Sequence, residues 1–172
     1  MDFFFKYLTF LGDGLFVVFL FFGLCCYRYR YALFILASFL ISGLIVQLLK
    51  RFVFGHSDRP GIFFAGIYKL HLVDGVSMMG SYSFPSGHSA TAFGTFLGLS
   101  IISQNKFLKL SFFFISLLIA FSRVYLSQHF LGDIFAGSII GTLVTLMLFP
   151  FFKDVQASWM DKSFNSILKT SK

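Results

Sequence analysis

The chain has 172 residues, of which 57% are hydrophobic and only 12% are charged, and its mean hydropathy is +0.83. This composition excludes a soluble globular enzyme and predicts an integral membrane protein. The formal net charge is +7, but the basic residues are scattered among apolar runs. This pattern favours anionic lipid headgroups over nucleic acid as partners.

Apolar stretches long enough to cross a bilayer core of about 30 Å as helices recur along the chain. They are 10–28, 31–50, 86–103, 107–125 and 131–151. The sequence therefore predicts an all-α integral membrane protein, a bundle of about five transmembrane helices that forms a single domain over 1–172. The first stretch has no small-residue cleavage site nearby, so we expect it to remain in the membrane.

Residues 52–85 are interrupted by glycine and proline and are predicted to form a large outer loop. Within 62–74, apolar residues recur at helical spacing, namely Phe63, Phe64, Ile67, Leu70 and Val73. This spacing predicts a short helix in the membrane interface that covers the site. The alternative is an ordinary connector with some apolar residues.

Basic residues in the short loops predict the orientation. Arg28 and Arg30 lie in one such loop, Lys106 and Lys109 in another, and Lys153 begins the C-terminal tail. With five spans these regions share one side of the membrane, which the positive-inside rule makes cytoplasmic. The N-terminus and the remaining loops then face outward.

Small residues recur four positions apart in two of the apolar stretches. Gly94 and Gly98 lie in the third stretch, and Gly137 and Gly141 lie in the fifth. This spacing is typical of closely packed membrane helices. We expect the third and fifth spans to be in contact.

His129 and Asp133 are the first candidates for chemistry. They lie four residues apart at the start of a predicted helix, so their side chains share one face and can form a hydrogen bond. A carboxylate on one ring nitrogen orients the imidazole and leaves the other nitrogen free to attack an electrophile. Taken alone, such a pair is also compatible with a structural hydrogen bond. Arg123, just before this helix, adds a planar set of donors suited to phosphate oxygens.

A second polar string, Pro85-Ser86-Gly87-His88, begins the third apolar stretch. The serine hydroxyl and the backbone N–H groups at a helix start form an anion site, which the helix dipole strengthens. The glycine lets the backbone approach a ligand closely. His88 is placed to protonate a leaving oxygen.

Further positive charge follows the second stretch, at Lys50, Arg51 and the Arg59-Pro60 pair. Lys50 and Arg51 are also compatible with side chains that reach the membrane interface without contacting a ligand. Together the three basic clusters and two histidines form the kind of cage that a phosphoryl group in transfer needs. Asp13, in Leu11-Gly12-Asp13-Gly14, lies at the same edge. This position is compatible with tuning the site or with capping a helix, and we expect the cap.

These residues match the motifs of a known family. The sequence resembles the type 2 phosphatidic acid phosphatase superfamily, whose motifs are Lys, six residues, Arg-Pro; Pro-Ser-Gly-His; and Ser-Arg, five residues, His, three residues, Asp. The second motif matches in full at 85–88 and the third at 122–133. The first departs from the pattern, because eight residues separate Lys50 from Arg59 and seven separate Arg51 from Arg59. We assign the lysine position to Lys50 and keep Arg51 as the other candidate.

The resemblance covers roughly residues 45–140 and implies a role for each matching residue. His129 would be the nucleophile that forms a phosphohistidine, with Asp133 as its orienting partner. His88 would be the acid that releases the alcohol and the base that then activates water. The phosphate ligands would be Lys50, Arg59, Ser86, Gly87 and Arg123. No metal and no other cofactor is implied.

The implied function is a lipid phosphate phosphatase that acts at the outer face of a bacterial inner membrane. The resemblance allows phosphatidylglycerophosphate, undecaprenyl pyrophosphate, phosphatidic acid or the 1-phosphate of lipid A as the substrate. A lipid phosphotransferase would use the same residues, and the oligomeric state is left open.

Two alternatives belong to other classes. A non-enzymatic carrier of anionic lipids would use the basic cage alone, but it has no need of an oriented histidine. A metal site would be built from His56, His71, His88 and His129 with aspartates, although these histidines lack close ligand spacing.

Overall fold

The computed structural model describes residues 1–77 and 80–166, and this part of the protein is helical, with no strand. The helices in chain order are α1 (Asp2–Leu8), α2 (Gly14–Tyr27), α3 (Tyr29–Leu48), α4 (Pro60–Phe63), α5 (Gly87–Ile102), α6 (Lys106–Tyr125) and α7 (Leu131–Asp154). A turn of 3-10 helix follows α1 at Thr9–Gly12 and another follows α7 at Ser158–Asp161. The all-α fold that the sequence predicts is confirmed.

Three helices among the described residues are long and apolar enough to cross a membrane, namely α6, α7 and α3 with the π turn that extends it to Val53. A fourth span results if the bent pair Asp2–Gly12 and Gly14–Tyr27, which meet at 58°, is counted as one. The remaining predicted stretch, 86–103, forms α5, whose 16 residues rise about 24 Å. Each predicted apolar stretch therefore contains a helix of the bundle.

α5 lies at the centre of the bundle and packs against α3, α6 and α7. Ser86 caps its N-terminus, since the serine side chain accepts a hydrogen bond from Ser89 N. Two glycines let α7 approach: a Cβ at Gly137 would collide with the carbonyl of Ser86, and a Cβ at Gly141 would collide with the backbone of Ala90. The predicted contact between the third and fifth apolar stretches is confirmed.

The loop over 52–85 contains a helix, but this helix is shorter than the spacing of apolar residues predicts. α4 is four residues long, and residues 64–77 continue as turns and extended chain. Gly66 has a φ of +76°, a left-handed conformation that ends helical hydrogen bonding. Val73 is buried instead in a cluster with Phe5 of α1 and Leu126. Tertiary packing against α1 thus replaces the predicted interfacial helix beyond Phe63.

α1 ties this loop to the end of α6. The Asp2 carboxylate accepts a hydrogen bond from the Tyr125 hydroxyl and lies 3.1 Å from His71 Nε2. Lys6 Nζ donates to the carbonyl of Asp74 at 2.6 Å. The N-terminal arm and the loop therefore surround the end of the bundle at which α5 and α7 begin.

The close contact between α5 and α7 makes Gly141→Ala a destabilising change, because the Ala90 backbone cannot move without separating the two helices. Adding a methylene-sized group to a tight core contact costs about 1–3 kcal/mol. Gly23→Ala in α2 is the matched control, since no heavy atom lies within 4 Å of its Cβ position. The thermal unfolding midpoint in detergent should fall for Gly141→Ala and be unchanged or raised for Gly23→Ala. Equal midpoints for the two variants would contradict the packing.

Candidate active site

A cleft of about 620 Å³ opens at the end of the bundle where α3 and α6 end and α5 and α7 begin. The predicted site residues on its walls are Lys50, Arg51, Arg59, Gly87, His88, Arg123 and His129. Asp133 and Ser86 are buried behind the wall. Residues that lie up to 79 positions apart, from Lys50 to His129, are thus brought to one cavity.

His129 and Asp133 form the hydrogen-bonded pair that their spacing predicts. His129 lies in the turn before α7 and Asp133 in its first turn, and 3.2 Å separate His129 Nδ1 from Asp133 Oδ2. Both side chains are buried. The bond occupies Nδ1, so Nε2 is the ring nitrogen left for chemistry in the cleft. The carboxylate also accepts a hydrogen bond from Phe130 N at 2.9 Å, which fixes its position at the helix start.

Burial lowers the pKa of His129 to about 4, and the nearby charges of Arg59, Arg123 and Lys50 act in the same direction. The hydrogen bond to Asp133 opposes them. The imidazole is therefore neutral at pH 7. A neutral imidazole with a lone pair on Nε2 is the form that can act as a nucleophile.

Ser83 is a third member of this group. It is buried, its hydroxyl donates a hydrogen bond to Asp133 Oδ2, and its Oγ lies 3.4 Å from His129 Nδ1. The same carboxylate oxygen therefore receives bonds from a serine, a backbone N–H and a histidine. This arrangement fixes the rotamer of Asp133 and, through it, the plane of the imidazole.

Arg59 faces this pair from the loop before α4. It is buried, and its Nε donates to the Ser81 carbonyl at 3.2 Å. Its Nη1 lies 3.3 Å from both the carbonyl and the side-chain Oε1 of Gln128. Burial lowers the pKa of Arg59, and the charge of Asp133 opposes this shift. The guanidinium is thus positioned by neutral acceptors, which leaves its charge available to an anion.

The structure distinguishes Lys50 from Arg51. A π turn over Leu49–Val53 ends α3, and within it Lys50 is buried while Arg51 is exposed. Lys50 Nζ donates to the carbonyl of Tyr82 at 2.8 Å. A π turn holds one more residue per turn than an α-helix and is frequent at functional sites. Of the two candidates for the first-motif lysine position, Lys50 is thus the one whose side chain is buried in the cleft wall.

Arg123 completes the basic group from the last turn of α6. Its Nη1 donates to Thr9 Oγ1 at 2.8 Å, which connects it to the N-terminal arm. Its Nε is buried and has no hydrogen-bond partner within the described residues. A buried donor of this kind is costly unless a ligand accepts from it.

The Ser86-Gly87-His88 segment forms the first turn of α5. Ser86 Oγ accepts hydrogen bonds from Ser89 N at 3.4 Å and from Ser89 Oγ at 3.1 Å. Ser86 N donates to the carbonyl of Asp133 at 2.9 Å, which joins the starts of α5 and α7. The serine side chain thus serves as a helix cap and does not line the cleft, whereas Gly87 and His88 do.

The alternative metal site of His56, His71, His88 and His129 is not present among the residues that the structure describes. His71 pairs with Asp2, and His129 pairs with Asp133. Over 1–77 and 80–166, no three His, Cys, Asp or Glu side chains are grouped so that they could hold a metal ion.

Sequence reasoning missed three polar residues of the site, Thr9, Ser83 and Gln128. Gln128 directly precedes His129, and Ser83 lies two residues before Pro85, so closeness to a motif was the available signal for both. Thr9 offered no signal, because it lies 114 positions from Arg123 in the sequence.

Comparison with known proteins identifies the family of the chain. The model of the PAP2 superfamily matches residues 31–157. The crystal structure of LpxE from Aquifex aeolicus has a TM-score of 0.71 at 28% identity, over 85% of this chain and 83% of that one. A transmembrane PAP2-type phosphatidylglycerolphosphate phosphatase from Bacillus subtilis has the same fold, with a TM-score of 0.71 at 22% identity, over 91% of this chain and 79% of that one.

Two curated relatives are lipid A 4′-phosphatases. That of Porphyromonas gingivalis is 29% identical over 155 residues, which cover 86% of this chain and 63% of the relative. That of Bacteroides thetaiotaomicron is 34% identical over 62 residues, which cover 36% of this chain and 28% of the relative. The chain thus spans less than two thirds of the length of either relative. Since the family model covers most of the chain and agrees with its motifs and its fold, the chain belongs to the PAP2 superfamily.

Proposed function

We propose that this protein is a lipid phosphatase, which hydrolyses the phosphate ester of a lipid headgroup through a phosphohistidine at His129. The observation that carries the proposal is the convergence of a buried, carboxylate-bound histidine and three buried cations on one cleft. A phosphoryl group in transfer spreads its charge over several oxygens, so it needs donors on several sides. Lys50, Arg59 and Arg123 supply them.

In the first step, His129 Nε2 attacks phosphorus while the bond to the leaving oxygen breaks. The bound phosphate places negative charge beside His88 and so favours its protonated form. This imidazolium gives its proton to the leaving oxygen, so the lipid departs as a neutral alcohol. The new P–N bond makes the imidazole ring cationic, and the Asp133 carboxylate on Nδ1 stabilises this charge. Backbone N–H groups at the start of α5 add to the cage, with the positive end of the helix dipole behind them.

In the second step, water attacks the phosphohistidine. His88, now neutral, takes a proton from the water as the P–O bond forms and the P–N bond breaks. Inorganic phosphate leaves, and His129 returns to its neutral form. His88 is protonated again and the cycle can repeat.

The names of the relatives support lipid A phosphate as the first substrate to test. The phosphatase of similar fold from Bacillus subtilis supports phosphatidylglycerophosphate as the second substrate to test. Undecaprenyl pyrophosphate and phosphatidic acid complete the set. Phosphate release by the purified protein should continue in EDTA, since no step above uses a metal ion. Appearance of the phosphate on an added lipid acceptor would identify a phosphotransferase, and binding without release would identify a carrier.

The phosphohistidine can be trapped with an aryl phosphate, whose leaving group departs without a proton from His88. With ³²P-labelled substrate, His88→Ala should accumulate an acid-labile, alkali-stable phosphoenzyme, because water is no longer activated. His129→Ala should form none and should lose lipid turnover by roughly a thousandfold or more, as for other covalent nucleophiles. Label retained by folded His129→Ala would contradict the proposal.

The pKa of His129 predicts the pH dependence of phosphoenzyme formation. A histidine with an ordinary pKa of about 6.5 would be mostly protonated at pH 5. Because the pKa of His129 is lowered to about 4, the nucleophile stays neutral at pH 5 and is lost only as the pH falls through about 4. Single-turnover rates with the aryl phosphate should therefore be similar at pH 5 and pH 7. An acid limb centred near 6.5 would contradict this environment.

We also propose that the cleft faces the outside of the cell. The basic residues of the short connections lie at the other end of the bundle, at Arg28, Arg30, Lys106, Lys109 and Lys153. The positive-inside rule makes that end cytoplasmic.

Thiol labelling tests this orientation in a protein whose two cysteines are replaced by alanine. Ile67→Cys, exposed in the loop near the cleft, should react with a membrane-impermeant maleimide in right-side-out spheroplasts. Gln104→Cys, exposed between α5 and α6, should react only after lysis. The reverse pattern would place the cleft inside the cell.

A further inference from the structure

Asp13 lies at the break of the bent N-terminal pair, between Asp2–Gly12 and Gly14–Tyr27. It occupies the N-cap position of α2, with φ −90° and ψ 153°, but its side chain makes no capping hydrogen bond. Asp13 therefore lies at a helix cap, as expected, but its side chain does not cap the helix. It is exposed, and no hydrogen bond or ion pair to its carboxylate occurs in the part of the chain that the structure describes. An unpaired charge beside a membrane span is costly, and so it points to a function.

This carboxylate lines a groove of about 430 Å³ between the N-terminal pair, α3 and α5. Gln47, Gly87 and His88 line both this groove and the phosphate cleft. The two cavities therefore adjoin at His88. Most of the remaining wall is apolar, with Phe39 and Leu44 among its residues.

The position of His88 indicates which part of the substrate each cavity holds. This step rests on the proposed function, in which His88 protonates the leaving oxygen. Attack by His129 and departure of the leaving group lie roughly in line, so the alcohol departs on the side of the phosphate away from His129. The groove that begins at His88 then receives the alcohol, while the basic cleft holds the phosphate. Asp13 faces the alcohol.

We propose that Asp13 determines substrate specificity by accepting a hydrogen bond from a hydroxyl or amide N–H of the leaving alcohol. A carboxylate accepts hydrogen bonds and donates none, and it repels phosphate. Diacylglycerol is the alcohol released from phosphatidic acid, and its only hydroxyl oxygen is the one that was bonded to phosphorus. It offers no other donor and leaves Asp13 without a hydrogen bond. The substrate class is therefore a phosphate ester of a sugar or glycerol headgroup that carries a donor close to the phosphate.

This class separates the four candidate lipids into two pairs. Lipid A phosphates and phosphatidylglycerophosphate have a hydroxyl or amide donor in the headgroup beside the phosphate. Phosphatidic acid and undecaprenyl pyrophosphate have none on the leaving group. Asp13 selects the first pair.

Asp13 also has a simpler role to be tested, because its negative charge acts on Arg123 across the site. A counter-charge for Arg123 would affect how every phosphate is held. A hydrogen-bond acceptor for the alcohol affects only substrates that carry a donor. The two roles therefore predict different patterns across substrates.

The experiment measures kcat/KM of Asp13→Asn, Asp13→Ala and Asp13→Glu in detergent, on lipid A and on dioleoyl phosphatidic acid. Hydrogen bonds to charged groups are worth enough that their loss lowers kcat/KM by roughly tenfold or more. We expect the Asn and Ala variants to show this loss on lipid A, with kcat/KM on phosphatidic acid unchanged or raised. The Glu variant keeps a carboxylate and should therefore retain part of the preference for lipid A over phosphatidic acid. Asp74→Asn, an exposed aspartate outside the groove, is the matched control and should match the wild type.

Each other result overturns the proposal. Equal losses on both lipids would make Asp13 a counter-charge for Arg123, and unchanged kinetics would leave it without a role in recognition. Thermal unfolding of each variant shows whether a loss of kcat/KM reflects a loss of folded protein. Agreement between Asp13→Asn and Asp13→Ala shows that the effect does not depend on one substitution. Failure of the proposed function is a separate result, since the wild type would then release no phosphate from either lipid.

Discussion

The buried residue Asp133 joins the start of α7 to the segment around Ser83 and Ser86, which lies far from it in the sequence. Its side chain receives hydrogen bonds from the loop through Ser83, from the turn before α7 through Phe130 N, and from His129. Its main-chain carbonyl accepts a hydrogen bond from Ser86 N at the start of α5. One residue therefore fixes the imidazole plane and the spacing between two helix starts, and the other parts of the site are positioned relative to these. A buried acid whose Oδ2 receives three hydrogen bonds holds this geometry more firmly than apolar packing could.

The three cations of the cleft are held by neutral oxygens. Lys50 and Arg59 donate to backbone carbonyls and Arg123 to a threonine hydroxyl, and no carboxylate lies within salt-bridge distance of any of them in the described residues. Burying cations is unfavourable unless a counter-ion joins them. Two aspartates act on the three cations, Asp133 on Lys50 and Arg59 and Asp13 on Arg123, but Asp133 is already bonded to a histidine and Asp13 is exposed. A phosphate would supply the missing negative charge. Three buried cations grouped in one cleft are thus unfavourable in a way that a phosphoryl ligand relieves, which is a physical basis for tight binding of an anion at a membrane surface.

The sequence was most informative where a function depends on residues close together in the chain. The four-residue spacing of His129 and Asp133 defines their contact, and the apolar stretches define the helices. It was less informative where the outcome depends on distant partners. The predicted helix beyond Phe63 is absent because Gly66 turns the chain and α1 buries the segment that follows. Ser83 contacts Asp133 across 50 positions, and no local pattern marks such a bond.

Helix direction explains why one end of this bundle attracts anions. α5 and α7 begin at the cleft, so the positive ends of their dipoles and their free N–H groups lie there. α3 and α6 end at the same cleft, and a helix C-terminus favours cations, which places Lys50 and Arg123 where their own helices stabilise the charge. Asp133 lies in the first turn of α7, where an acid is favoured. An antiparallel arrangement of four helices therefore stabilises the cations of the site and strengthens their attraction for phosphate at the same time.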